Sequence, residues 1–193
     1  MRSSKLLLGL ATLVLGGVSF ASFAPFFQEG PQVLDQHKQV QAGIGEWEGT
    51  ITMHNMGPNP VSFPCTESIE GLGELWTVSH FQSDFMGMSF EGRATFGYDP
   101  TQEKFVGSWI DNMVPFMSIM EGTFDEKLDA IVMHYEGLDP MKGKVQMKNV
   151  SQHKDDTSKI SFYELANGNE TLTMVIEMKR KPKPVEAGAS KTK

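Results

Sequence analysis

Apolar and polar residues alternate along most of this chain, from Gly45 to about Lys181. The run at 88–98 is the cleanest, and Met88, Phe90, Gly92, Ala94, Phe96 and Tyr98 share one side of it. A period of two places successive side chains on opposite faces of a β-strand, so the run predicts a strand with one apolar face. Similar runs predict about ten strands, at 45–54, 61–70, 74–83, 88–98, 104–111, 116–124, 129–136, 144–152, 158–165 and 171–179.

Turn residues such as Asp99-Pro100 and Asn167-Gly168 separate these strands, and no long helical pattern lies between them. Parallel strands need helical crossovers, so the strands are expected to form one antiparallel meander. An open sheet would leave two unpaired edges, which closure into a barrel removes. The sequence therefore predicts an all-β, antiparallel barrel of about ten strands with one short N-terminal helix. A two-sheet sandwich is the alternative.

The N-terminus follows a different pattern. Arg2 and Lys5 precede an apolar stretch at 6–18, and the small residues Ser19 and Ala21 follow with Phe20 between them. This order predicts a cleavable signal peptide at 1–21. The apolar stretch is shorter than the roughly 20 residues of a membrane-spanning helix, so no membrane span is expected after signal cleavage. The chain is therefore predicted to be exported, to the periplasm or the exterior.

The remaining chain divides by composition. We expect a linker and short helix at 22–42, a barrel domain at 43–181 and a disordered tail at 182–193, which lacks core-forming residues. The single domain is long enough to bury a substantial core.

Charge and cysteine content narrow the classes of function. The net charge is −7, and removal of Arg2 and Lys5 leaves −9. An acidic domain whose only arginines are Arg93 and Arg180 is a poor binder of nucleic acid. The lone Cys65 excludes an internal disulfide and is interpreted as a small apolar filler. Stability is therefore expected to come from the core.

Several short motifs together resemble a known family. The segments are Gly45-Glu46-Trp47, Glu91-Gly92, Gly97-Tyr98-Asp99, the run from Lys104 to Met113, Gly122-x-x-Asp125, the run from Asp139 to Lys144, and Met178-Lys179-Arg180-Lys181. This series is similar to an uncharacterised bacterial domain-of-unknown-function family of the lipocalin-like (calycin) barrel superfamily. The resemblance covers about residues 40–181, and Asn112 stands where the family usually has serine.

The resemblance implies a fold and a role for one residue. In lipocalin-like barrels the tryptophan of the opening G-x-W closes the base, which here would be Trp47. The family implies no activity, because fold does not fix function.

The most suggestive cluster of side chains is Tyr98, Trp109 and Asp111. If their strand faces point inward, Asp111 would lie near the barrel mouth, where a carboxylate among aromatic rings could bind a polar group. The competing interpretation is that Asp111 caps a turn with Asn112 while Trp109 is core.

Metal and catalytic chemistry have weaker support. The chain has 13 methionines, which would suit Cu(I), yet methionine on apolar strand faces more often packs or lines a cavity. The five histidines lack metal-ligand spacing, and a haem ligand is an outlying alternative. Neither a nucleophile elbow nor a phosphate-binding glycine motif is present in the sequence. We therefore predict no metal, no cofactor and no catalytic residue.

Three hypotheses of function follow. The first is a binding protein that holds a small, largely apolar molecule in the barrel cavity. Its predicted ligand-binding residues are Trp76, Phe90, Tyr98, Trp109, Asp111 and Met174. The second is a structural or interaction module with a filled core, and the third is an enzyme or a metal- or haem-binding protein. The sequence predicts neither the ligand nor the oligomeric state.

Overall fold

The structure, a computed structural model, describes residues 32–139 and 141–182. The predicted signal peptide, the linker up to residue 31 and the predicted tail beyond residue 182 lie outside the described residues. No helix within the described ranges is both long enough and apolar enough to cross a membrane.

In the described part of the chain, one helix precedes ten strands. They are α1 (Asp35–Gln41), β1 (Gly45–Met53), β2 (Val61–Leu72), β3 (Trp76–Phe85), β4 (Met88–Asp99), β5 (Lys104–Asp111), β6 (Ser118–Asp125), β7 (Ala130–Asp139), β8 (Gly143–Lys154), β9 (Thr157–Ala166) and β10 (Asn169–Arg180). The period-two pattern thus located every strand, with differences of a few residues at the ends.

The ten strands form a closed antiparallel barrel. Each strand pairs with its neighbours in the chain, and β1 pairs with β10 to complete the ring, with Ile51 opposite Ile176. Every strand is therefore hydrogen-bonded to a neighbouring strand on both sides, so the sheet has no exposed edge. The barrel prediction is confirmed, and the sandwich alternative is wrong.

Turn chemistry explains the reversals between strands. Asn167 and Gly168 adopt φ values of 51° and 77°, the left-handed conformations that a tight hairpin requires. At the β4–β5 turn, the Asp99 carboxylate accepts hydrogen bonds from the backbone N–H groups of Thr101 and Gln102. Hydrogen bonds from these two residues lower the pKa of the Asp99 carboxyl to about 2.

The end of the barrel that carries α1, here called the base, is closed by Trp47. Its side chain is 1% exposed, and its indole N–H donates to the Gly43 carbonyl oxygen at 2.9 Å. The Arg180 guanidinium lies 4.2 Å from the centre of the Trp47 ring and donates to the carbonyl oxygens of Ala42 and Ile44. Trp47 therefore has the location that the family resemblance implied.

The buried His37 attaches α1 to the barrel. Its Nδ1 accepts the Leu34 N–H at 2.9 Å, and its Nε2 lies 3.2 Å from the Tyr98 carbonyl oxygen. The helix therefore covers the base next to β3 and β4.

One irregularity changes which side chains of β10 point inward. The register between β9 and β10 shifts between Leu172 and Met174, so Thr173 is a bulge residue. Thr173 is buried and lines the interior, whereas Leu172 pairs with Tyr163 and does not. Strict alternation along β10 predicts Leu172 on the same inward face as Met174, and the structure contradicts this because the extra residue reverses the face.

Candidate functional site

A cavity of about 520 Å³ occupies the barrel interior. Its walls are mostly apolar and come from almost every strand, as Ile51, Phe81, Phe90, Met133, Phe162 and Met174 illustrate. These residues have the inward parity of the alternating pattern. The barrel is therefore hollow, and two buried apolar clusters, one around Trp47 and one around Phe105, contribute residues to the cavity wall.

The cavity extends to the end opposite α1, here called the mouth. Asp111, Asp139 and Glu164 line it, and each stands at or near the end of an odd-numbered strand. In a meander, the ends of the odd-numbered strands meet at one rim of the barrel. The β1–β2, β3–β4, β5–β6, β7–β8 and β9–β10 connections surround this rim.

Exposed methionines surround the mouth. They are Met56, Met86, Met88, Met113, Met117 and Met141, and each lies in or next to one of those connections. Methionine is apolar and flexible, so it can line an opening that adapts its shape. Met53, in contrast, lines the cavity itself. Within the described ranges, no group of three histidine, cysteine or acidic residues could hold a metal ion.

An aromatic cluster forms one wall of the cavity. The Trp109 ring stacks on Phe90 with centroids 6.3 Å apart and meets Phe81 edge-on at 6.2 Å. The Trp109 ring lies directly over Gly92, where an added Cβ would be 2.2 Å from the ring. Gly92 therefore creates the space that the indole occupies.

Asp111 fixes the orientation of this wall. Its Oδ2 accepts the Trp109 indole N–H at 2.9 Å, and its Oδ1 accepts the backbone N–H groups of Met113 and Val114, each at 2.9 Å. Asp111 lines the cavity and also caps the β5–β6 connection. The sequence offered a position at the mouth and a turn cap as alternatives for Asp111, and this side chain has both locations.

Four of the six predicted ligand-binding residues line the cavity, namely Phe90, Trp109, Asp111 and Met174. Trp76 does not, because it alternates with the inward Thr77 and Ser79 and therefore lies on the outer face. There its ring covers Gly97, where an added Cβ would be 2.2 Å away, and its side chain is 36% exposed.

Tyr98 also lies outside the cavity lining, for a different reason. It has the inward parity of β4 but stands at the base, with its ring 5.8 Å from His37 and 5.2 Å from Phe105. The proposed grouping of Tyr98 with Asp111 is wrong, because the two residues lie at opposite ends of the barrel.

Sequence reasoning missed two polar residues of the cavity wall, Glu67 and Ser79. Glu67 lies on the inward face of β2, between Cys65 and Ile69, opposite Trp47 on β1 and Phe81 on β3. Ser79 lies diagonally across the β2–β3 pair, where it faces Ile69. Phe63, Cys65 and Glu67 are each two residues apart on β2 and therefore share one face of the strand. The two apolar residues were a signal that could have placed Glu67 inside the barrel.

Burial controls the ionisation of these groups. Burial raises the pKa of the Glu67 carboxyl, and the nearby Ser79 hydroxyl lowers it by a smaller amount. The accessible surface that Glu67 keeps faces the cavity, since the residue lines it. Burial also raises the pKa of the Tyr135 hydroxyl, which lines the opposite wall. Both groups are therefore biased towards their neutral forms.

Two other titratable groups border this region. Burial, with a smaller contribution from Glu67, raises the pKa of the Cys65 thiol to about 12, so the thiol stays protonated. It packs in the cluster around Trp47, as expected of an apolar filler. Burial, with a smaller contribution from the nearby Arg180 charge, lowers the pKa of His153, whose imidazole is therefore uncharged at neutral pH.

Comparisons with known proteins agree with this architecture. A family model described as "Protein of unknown function (DUF1579)" matches residues 32–180. No curated protein matches the sequence. The crystal structure of Rv2717c from M. tuberculosis is similar, with a TM-score of 0.59 and 12% identity over 78% of this chain and 100% of that one.

A second solved structure, the S-type phycobiliprotein lyase CPES from Guillardia theta, is similar with a TM-score of 0.52 and 12% identity. The match covers 79% of this chain and 99% of that one. At this identity the two likenesses establish a shared lipocalin-like barrel fold and nothing about the ligand.

Proposed function

The chain belongs to the DUF1579 family of proteins of unknown function, and we propose from its own interior that it binds a small, largely apolar molecule inside the barrel. The observation that carries the proposal is the cavity of about 520 Å³. Ligand pockets are typically roughly 300–1,000 Å³ and mostly apolar, with a few placed polar groups. A structural module with a filled core would have no such space.

The composition of the wall supports an apolar ligand. Phenylalanine, isoleucine and methionine side chains dominate the lining, and each Å² of apolar surface removed from water contributes about 25 cal/mol. The methionine side chains at the mouth add apolar surface to an entrance that also carries the carboxylates of Asp111, Asp139 and Glu164.

Binding can be tested with the neutral, apolar dye Nile red and one matched pair of variants. Met147 lines the cavity, whereas Gln146, the preceding residue on β8, is exposed on the outer face. Met147→Trp places a bulky indole ring in the cavity, and Gln146→Trp places the same ring on the outer face.

We expect saturable enhancement of Nile red fluorescence by the wild-type protein. Met147→Trp should weaken binding by about tenfold or more, which corresponds to about 1.4 kcal/mol, and Gln146→Trp should not change it. Absence of saturable binding, or equal effects of the two variants, would contradict the proposal. Native mass spectrometry of the purified protein would then identify any molecule that copurifies.

We further propose that the chain is exported and that cleavage follows Ala21. The charged start, apolar stretch and small residues before the cut support this. N-terminal sequencing of protein from a fractionated native host should find Ser22 first, and a retained Met1 would refute it.

A further inference from the structure

The ionisable residues that line the cavity are almost all acidic. Of the described residues in its wall, four are carboxylic acids, namely Glu67, Asp111, Asp139 and Glu164, and none is a lysine or an arginine. The remaining basic residue, His153, is uncharged at neutral pH because its pKa is lowered. The interior therefore has a negative electrostatic potential wherever these acids are ionised.

Three of the four carboxylates already have partners in the protein. Asp111 accepts from Trp109 and from the β5–β6 backbone. Asp139 accepts the backbone N–H groups of Met141 and Lys142, each at 2.8 Å. Glu164 forms an ion pair with the Lys142 ammonium at 2.7 Å. These three acids stand at the mouth, and their hydrogen bonds order the connections there.

Glu67 differs from the other three. It lies deep in the barrel and forms no ion pair within the described part of the chain, and the Ser79 hydroxyl lies near its carboxyl group. Ser79 Oγ is itself buried and has no hydrogen bond of good geometry to any residue that the structure describes. Buried polar groups are normally satisfied, and a buried carboxyl without a partner is destabilising, so such a pair requires an explanation.

A ligand in the cavity would supply the hydrogen-bond partners that Glu67 and Ser79 lack apart from each other. A buried carboxyl group that faces a cavity can bind the donor group of a molecule that enters it, and a neighbouring hydroxyl adds a second hydrogen bond. An anionic head group would meet the reverse situation, because the cavity wall offers acids and no cation to neutralise it.

We propose that Glu67 and Ser79 form a polar anchor that binds the amine end of an otherwise apolar ligand, and that the cavity rejects apolar molecules with a carboxylate or phosphate head. The inference rests on the proposed function and specifies its ligand class: long-chain or ring-based apolar amines, with neutral alcohols next and acids last. Hydrogen bonds to charged groups are about twice as strong as those between neutral groups, which sets this order.

A series of ligands with one chain length tests the order. Dodecylamine, dodecanol and dodecanoate would each displace Nile red at neutral pH, below the concentrations at which they form micelles. We expect the wild-type protein to bind dodecylamine at least about tenfold more tightly than dodecanoate, with dodecanol between them.

Two charge-matched variants test the anchor. Glu67→Gln removes the inward carboxyl, and Glu70→Gln removes one from the exposed face of the same strand. Glu67→Gln should reduce the ratio of amine to acid affinity at least about tenfold and leave dodecanol binding nearly unchanged, whereas Glu70→Gln should preserve the ratio. Ser79→Ala provides a second variant if Glu67→Gln does not fold, and it should lower amine affinity several-fold.

The outcomes separate the two proposals. If Nile red and dodecanol bind but dodecanoate binds as well as dodecylamine, the anchor is wrong and the binding function stands. An unchanged ratio in folded Glu67→Gln also overturns the anchor. If neither the dye nor any member of the series binds, both proposals fail.

Discussion

Two glycines of β4 provide a matched test of how the cavity wall is held. Gly92 and Gly97 each lie under a tryptophan ring, and an added Cβ would be 2.2 Å from the ring in both cases. Trp109 covers Gly92 inside the barrel, and Trp76 covers Gly97 outside. Neither glycine has a positive φ, so substitution by alanine tests only the space above the strand.

The inner ring cannot move away easily. Trp109 is held by stacking on Phe90, by contact with Phe81 and by the hydrogen bond to Asp111. Forcing a methyl group into such packing typically costs about 1–3 kcal/mol. For a domain of this size that loss lowers the melting temperature by between about 2 and 12 °C.

The outer ring has room to move. Trp76 is 36% exposed, so its ring can rotate into solvent when Gly97 becomes alanine. The lost contact is offset by the lower conformational entropy of the unfolded chain, a gain of about 0.4–1 kcal/mol. We therefore expect Gly97→Ala to remain within about 1 kcal/mol of the wild-type free energy of unfolding.

Urea unfolding of the two variants, monitored by far-UV circular dichroism, measures the difference. Gly92→Ala should also weaken Nile red binding, because Trp109 lines the cavity, and Gly97→Ala should not. If the two variants lose equal stability, or if Gly97→Ala loses more, the claim that the interior packing holds Trp109 in place is wrong.

Three further predictions follow from single contacts. Burial raises the pKa of Glu67 in the folded state above its ordinary value of 4.5, so the wild-type protein loses stability as the pH rises above 4.5 and the carboxyl group ionises. Glu67→Gln should therefore be more stable than the wild type at neutral pH. Urea unfolding at a series of pH values should show this difference vanish below about pH 4. In Gly49→Ala the new Cβ would lie 2.0 Å from the Glu177 carbonyl oxygen, so a loss above about 3 kcal/mol is expected by chemical denaturation, and a mild effect would contradict the close β1–β10 approach. Arg180→Lys keeps the charge but loses the planar stack on Trp47, so a loss of about 1–2 kcal/mol is expected, and an unchanged thermal melt would refute that role.

The fold was accessible from the sequence because its signals are local. Alternation of apolar and polar residues fixes strand identity, and residues such as Asn167 and Gly168 fix the reversals. Closure followed from the cost of unpaired edges. The inferences about strands and turns need only residues that are adjacent or a few positions apart, and closure adds a general argument about sheet edges.

The site was less accessible because it depends on which face of each strand points inward. Parity was correct for Phe90, Trp109 and Met174 but wrong for Trp76, whose large apolar ring covers Gly97 on the outside. The bulge at Thr173 also reversed a face without any signal in the local pattern. Glu67 was missed because the inward faces were identified by their apolar residues, and an acidic residue does not fit that pattern.

Joining the first strand to the last has a consequence for how the chain acquires its structure. The pairing of Ile51 with Ile176 connects opposite ends of the domain, so the ring cannot close until β10 has been synthesised. All-β folds, in which non-local strand pairs must form, fold slowly, in milliseconds to seconds. Until β10 emerges during translation, one edge of β1 has unpaired backbone N–H and C=O groups. We expect nascent chains to be most prone to aggregation at that stage.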